Sequence, residues 1–186
     1  GCNLRCTYCD TTYAYEEGDN IPIDRILTTV KGFDCSLIEV TGGEPLIQNE
    51  TPDLISALIK NGYTVLLETN GSQDISSVDK RCTRIVDIKC PSSGMDNNNY
   101  WKNLDYITPN DQLKFVIAHR QDYLYAKKVL DAAAIKRKRK LLINFSPVFN
   151  AIDLKDLAGW ILEDNLPVRL QIQLHKYIWG EHTKGV

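Results

Sequence analysis

The chain has 186 residues, with 22 Lys and Arg against 24 Asp and Glu, a formal net charge of −2 and 43% hydrophobic residues. That length is enough to bury a proper core in one domain, and the near-neutral balance excludes the global basic field that gathers nucleic acid. No apolar stretch reaches the length that crosses a bilayer.

The chain opens on Gly1 rather than Met and runs at once into Cys2, Cys6 and Cys9, spaced C-x3-C-x2-C. Three thiolates can hold three irons of a four-iron cluster and leave the fourth iron open for another ligand. Two other readings stay open at this point. A structural zinc would need a closed tetrahedral set, completed by Cys90 or by one of His119, His175 and His182; the three cysteines could also be free thiols. Cys35, Cys82 and Cys90 stand singly and read as small buried residues. One tight group among six cysteines is no disulfide framework, which places the chain in a reducing compartment, the cytoplasm. Because the motif is already under way at Gly1, the natural N-terminus is expected to lie upstream.

From there, strand and helix patterns alternate. Residues 37–40, 64–67, 84–88, 113–117, 141–145 and 168–174 are short runs rich in β-branched and bulky side chains, and predict strands. Between them, Ile23/Ile26/Leu27/Val30, Leu54/Ile55/Leu58/Ile59, Tyr125/Val129/Ala132/Ala133 and Leu154/Leu157/Ile161/Leu162 repeat at helical spacing. Pro52-Asp53 marks a helix start and Asn61-Gly62 a helix stop. Residues 90–99 form the one long loop. The basic run 136–140 reads as the solvated last turn of a helix, with a docking patch for a carrier protein or RNA as the sharper alternative. Strand–helix alternation predicts an α/β domain over residues 1–186, with a parallel sheet and ligands at the carboxyl ends of its strands.

Polar residues follow those strand ends. Thr41-Gly42-Gly43-Glu44-Pro45 follows the first, where the glycines allow close approach and Glu44 offers an acceptor to a cation. Glu68-Thr-Asn-Gly71 follows the second, Asp87 and Lys89 with Pro91-Ser-Ser-Gly94 the third, and Ser146-Pro147 the fifth. Each alone is an ordinary turn; four on one sheet face, behind a cysteine loop, point to a shared site.

Cys2/Cys6/Cys9 followed by Thr41-Gly-Gly-Glu-Pro45 resembles the radical S-adenosylmethionine superfamily. The resemblance implies a [4Fe-4S] cluster and a partial (βα) barrel. In that superfamily the open iron is chelated by S-adenosylmethionine, the glycine-glycine-glutamate segment receives its amino group, and a 5′-deoxyadenosyl radical takes a hydrogen atom from substrate. Cys9-Asp-Thr11, Glu68-Thr-Asn-Gly71, Asp87-Ile-Lys-Cys-Pro-Ser-Ser-Gly94, Lys114-Phe-Val116 and His175-Lys-Tyr-Ile-Trp-Gly180 through Gly185-Val186 are similar to the 7-carboxy-7-deazaguanine synthase family, along the whole chain. That family converts 6-carboxy-5,6,7,8-tetrahydropterin to 7-carboxy-7-deazaguanine with loss of ammonia, on the route to queuosine in tRNA, using S-adenosylmethionine catalytically and requiring Mg2+.

Carried over residue by residue, the resemblance implies Cys2, Cys6 and Cys9 on the cluster and the Thr11 hydroxyl on Mg2+. Tyr8, Cys9, Asp10, Gly42, Gly43, Glu44, Asp87, Ile88, Lys89 and Ser146 would line the S-adenosylmethionine site; Thr41 and the terminal carboxylate of Val186 would contact the pterin, with His175 and Lys176 nearby. It also implies an external electron donor, a homodimer, no nucleic-acid or membrane partner, and a first strand before the cysteine loop that this chain does not carry. A glycyl-radical-activating enzyme shares the cysteine loop and the Gly-Gly-Glu strand end but needs a peptide groove and no Mg2+; a zinc-stabilised module without chemistry is the non-enzymatic alternative.

Overall fold

The computed structural model describes residues 1–15, 18–132, 141–181 and 183–184. Six strands, β1 (Leu37–Val40), β2 (Thr64–Thr69), β3 (Thr83–Ile88), β4 (Gln112–Ile117), β5 (Leu142–Pro147) and β6 (Arg169–Leu170), form one sheet in the order of the chain. Every neighbouring pair is parallel. The helices are α1 (Ile23–Val30), α2 (Thr51–Lys60), α3 (Asn103–Tyr106), α4 (Arg120–Ala132), α5 (Leu154–Glu163) and α6 (Leu174–Ile178). Crossovers of one hand between strands in sequential order put the helices on one face of the sheet and leave the other concave, as in a sector of a (βα) barrel.

Burial follows from that arrangement. In β4, Leu113, Phe115 and Ile117 are fully buried under the helices, while Lys114 and Val116 alternate to the concave face. β3 is covered on both faces over nearly its whole length. One apolar cluster joins β3, β4 and β5 to α4 and α5, with Phe115 and Phe145 edge to face at 5.7 Å; a second joins β2 to α2 around Ile55, Leu58, Val65 and Leu67. At the amino ends of β3 and β4, the buried Arg84 clamps Asp111: Nε donates to Oδ1 at 3.0 Å and Nη2 to Oδ2 at 2.6 Å.

The first five strands and the four longer helices form where the periodicity predicts them; the strand ends shift by at most two residues, while α4 begins at Arg120, five residues before the Tyr125 that opens its pattern. Gly62, at φ +90°, ends α2 as the Asn61-Gly62 stop implies. The sixth strand is a correction. Only Arg169 and Leu170 pair with β5, and the run 168–174 then turns away into α6. β6 is the exposed edge of the sheet, paired among the described strands with β5 alone, so pairing lapses once the chain leaves β5. The long loop at 90–99 is folded into two single turns, Pro91–Ser93 and Asp96–Asn98, held by Asn99 donating to Lys89 O and Asp96 O. The basic run 136–140 and Ala133 lie outside the described residues.

Candidate active site

A cavity of about 1200 Å³ opens on the concave face at the carboxyl ends of the strands. Cys2, Cys6 and Cys9, each half-buried, line one end of it. Their loop is pinned at several points. Leu4 is 2% exposed, Thr7 N donates to Ser93 O at 3.1 Å, Cys2 N donates to Tyr15 O at 3.1 Å, and Glu44 N donates to Gly1 O at 2.9 Å. The 90–94 turn and the Gly-Gly strand end therefore hold the cysteine loop, two functions sequence spacing did not show.

Among the described residues, no three His, Cys, Asp or Glu side chains are gathered to hold a single metal ion. One zinc would draw every sulfur to about 2.3 Å from a single point. In a cluster each thiolate binds a different iron, so three thiols on the lining of one cavity suit it. Cys90, the candidate fourth zinc ligand, is fully buried with its thiol toward Ile88 O at 3.8 Å. Burial pushes the Cys6 thiol up, with the nearby Lys89 ammonium pulling the other way. Tyr15 is pushed up to about 12, first by its hydrogen bond to Cys9 and then by burial.

The walls are charged and paired. Lys89 Nζ lies 2.7 Å from Asp87 Oδ2, and Lys114 Nζ 2.6 Å from Glu68 Oε1. Burial works against the charge on Lys89, and the Asp87 carboxylate and Cys6 outweigh it, so the ammonium is held more firmly than usual. Two buried polar atoms at this wall, Asp87 Oδ1, an acceptor, and Tyr8 Oη, have no hydrogen-bond partner among the described residues. Buried polar groups are normally satisfied, so an unpaired acceptor and an unpaired hydroxyl beside three thiols fit a polar cofactor such as S-adenosylmethionine. Glu39 also faces the cavity, its carboxyl pushed up by burial and by Glu68.

The structure brings together most of the residues implied by the resemblance. Cys2, Cys6, Tyr8, Cys9, Asp10, Thr11, Thr41, Gly42, Gly43, Asp87, Lys89 and Ser146 all line the cavity, as do His175 and Lys176. Two do not. Ile88 is 3% exposed and packs into the core on the helix side of β3. Glu44 is 1% exposed and sits behind the wall: Oε1 accepts from Leu46 N at 3.0 Å and Thr69 Oγ1 at 2.8 Å, and Oε2 from Asn70 N at 2.6 Å. Its side chain is occupied in tying the first strand end to the second. Val186 lies outside the described residues.

Sequence reasoning passed over Glu39, Tyr15 and Gln173 as cavity residues. A lone carboxylate inside the apolar run Leu37-Ile-Glu-Val40 was a signal for Glu39, since period 2 sends it opposite its neighbours. Nothing local marked Gln173, which reaches the site only because the chain turns into α6.

Comparison with known proteins agrees with this geometry. The family model described as the Radical SAM superfamily matches residues 1–92. A 7-carboxy-7-deazaguanine synthase of Chlorobaculum tepidum is 44% identical over 189 residues, spanning 100% of this chain and 85% of the relative. The synthase of Koribacter versatilis is 40% identical (100% and 88% covered), and that of Methanospirillum hungatei 36% (96% and 74%). With a cysteine loop, a Gly-Gly strand end and a polar cavity arranged as above, and with relatives at this identity over the whole of its length, the chain belongs to the 7-carboxy-7-deazaguanine synthase family of radical S-adenosylmethionine enzymes.

Proposed function

We propose that this protein forms 7-carboxy-7-deazaguanine from 6-carboxy-5,6,7,8-tetrahydropterin with loss of ammonia, a step toward queuosine and related deazapurines. The carrying observation is the meeting of three half-buried thiols with paired, polar strand ends around one cavity, in a chain 44% identical to a named synthase along its full length. Product and ammonia together hold the atoms of the substrate, so the conversion has no net oxidation or reduction, and an external electron donor serves only to start it. When bound, the cluster with S-adenosylmethionine supplies the radical that takes a hydrogen atom from the pterin.

The protein's own residues bind, orient and exclude water. Cys2, Cys6 and Cys9 hold the cluster. Asp87 Oδ1 and Tyr8 Oη offer hydrogen bonds to the polar parts of S-adenosylmethionine, while Lys89 Nζ, 2.7 Å from Oδ2, holds the Asp87 side chain in place. Gly42, with open space where a Cβ would stand, keeps the cavity wall low beside Thr41, which faces the pterin. Ser146, 4% exposed on β5, closes the opposite wall. The Thr11 hydroxyl donates to Asp10 Oδ1 at 3.0 Å, which leaves its lone pairs for Mg2+, a cation that prefers oxygen. Residues 1–186 are read as one radical S-adenosylmethionine domain that works in the cytoplasm, where thiols stay reduced. Exposed apolar side chains such as Leu162, at 75%, and Phe33, at 66%, suit a homodimer. No described helix is long and apolar enough to cross a membrane.

The test is anaerobic reconstitution of the complete protein, followed by dithionite, S-adenosylmethionine, Mg2+ and 6-carboxytetrahydropterin, with products read by mass spectrometry. Appearance of 7-carboxy-7-deazaguanine and release of ammonia are expected. Formation of 5′-deoxyadenosine with the pterin untouched would keep the radical chemistry and remove the substrate.

A further inference from the structure

The helix α6 is held in an unusual way. It has five residues and none is buried; Leu174 and Ile178 are each 61% exposed, and Trp179, just past its end, is 55% exposed. The lysine between them is the covered group, with only 9% of its side chain exposed. Lys176 Nζ lies 3.0 Å from Asp10 Oδ2 and 5.2 Å from the Phe149 ring centroid, and Gln173 Nε2 donates to the same Asp10 oxygen at 2.7 Å. Apolar packing normally fixes a short helix, because isolated helices of this length are not stable in water. Here the apolar residues face solvent and the charged contact faces the protein. Among the described residues, an edge-to-face pair, Phe149 with Tyr177 at 5.6 Å, also joins the segment to the body, Ile172 is half-buried in a small pocket it shares with Phe149 and Ile152, and Gln171 N donates to Phe145 O at 2.9 Å where the segment leaves the sheet.

We propose that residues 171–181 are a strap that closes the cavity, and that Lys176 and Gln173 latch it to the cysteine loop through Asp10. The two oxygens of Asp10 divide the work. Oδ2 takes the strap, and Oδ1 takes the Thr11 hydroxyl at 3.0 Å. Asp10 directly follows Cys9, so strap closure and the orientation of Thr11 belong to one hydrogen-bond network anchored on the cluster loop. The strap contributes Gln173, Leu174, His175 and Lys176 to the cavity wall, so releasing it opens the cavity to solvent. With few buried contacts, it is a segment that opens locally without unfolding the sheet. Lys176 is therefore a positioning residue: it holds the lid that keeps water from the reacting atoms. The proposal rests on the cavity being the reaction site.

The test is amide hydrogen exchange, read by mass spectrometry, on the complete cluster-loaded enzyme and its Lys176→Met variant. Exchange across 171–181 is expected to rise about tenfold, the loss expected from one charge-assisted hydrogen bond. Iron per chain and exchange in β3–β5 are expected to be unchanged, and more 5′-deoxyadenosine should form per product. Lys176→Arg should restore both readouts. Should Lys176→Met fail to fold, Gln173→Leu, which removes the other charge-assisted hydrogen bond to the same carboxylate oxygen, is measured in its place with the same expectations. Unchanged exchange in the strap, or exchange that rises equally throughout the sheet, would overturn the latch. If the pterin proves not to be the substrate, the exchange result still decides the latch.

Discussion

Gly43 and Cys2 are in direct contact, and the contact leaves no room for a side chain on the glycine. A Cβ built on Gly43 would stand 2.7 Å from Cys2 Cβ and 2.3 Å from Gly1 O. The second glycine of the strand end thus seats the cysteine loop. Gly43→Ala is expected to displace that loop and cut iron and sulfide per chain severely after reconstitution, with the unfolding transition retained. Gly42→Ala meets open space and pays only for its φ of +140°, on the order of 1 kcal/mol. Full iron in Gly43→Ala would show that the loop is not seated there.

Glu44 is expected to matter to stability more than to cofactor affinity. Truncation to Ala strands Thr69 Oγ1, Asn70 N and Leu46 N, all hydrogen-bonded to it, at a cost on the order of 3 kcal/mol. Denaturant unfolding of Glu44→Ala measures this. Unchanged stability with weakened S-adenosylmethionine binding would return the carboxylate to the cofactor.

The Arg84–Asp111 clamp predicts an acid limb. Burial alone would raise the Asp111 carboxyl, and the hydrogen bonds from Arg84 and Thr108 outweigh it, so its value in the fold is below the ordinary 3.8. A lowered carboxylate stabilises the fold above its unfolded value, and that contribution disappears as pH falls through the folded one. Urea midpoints should therefore fall with the slope of this group only below pH 3.8. Asp111→Asn should remove that limb and cost about 3–5 kcal/mol at neutral pH, because Arg84 is left buried and unpaired.

Thr11→Ala is expected to raise the Mg2+ concentration needed for half-maximal product formation, while cluster content and S-adenosylmethionine binding hold. Its hydroxyl donates to Asp10 Oδ1, at the loop rather than in the core. A Mg2+ titration of product formation reads this directly. An unchanged midpoint would remove Thr11 as a metal ligand.

Local chemistry was legible in the sequence. Cys2, Cys6 and Cys9 are neighbours on the chain, so their spacing alone brings three thiols to one loop. Five strands and four helices follow from periodicities that repeat within ten residues, and βαβ alternation then fixes a parallel sheet whose carboxyl ends bear the site. The polar strand ends 41–43, 87 and 89, and 146 could be placed on that face because each directly follows a strand.

Tertiary structure alone decided which way each of those residues turns and what it meets. Glu44 follows two glycines that free the backbone, and it turns inward because β2 presents Thr69 and Asn70 as donors twenty-five and twenty-six residues further on. Ile88 sits between Asp87 and Lys89 yet faces the helices, since consecutive strand residues point to opposite faces. The apparent sixth strand ends after Leu170 because an edge has no second neighbour to prolong it, and the chain is then free to carry Gln173 and Lys176 back to Asp10, across a separation in sequence of more than 160 residues. The sequence by itself determined the cofactor loop, the fold class and the end of the sheet that bears the site, because each rests on residues near one another in the chain. The folded structure decided the seat of the loop, the pairing of the wall charges and the strap, because those contacts join residues that only packing brings together.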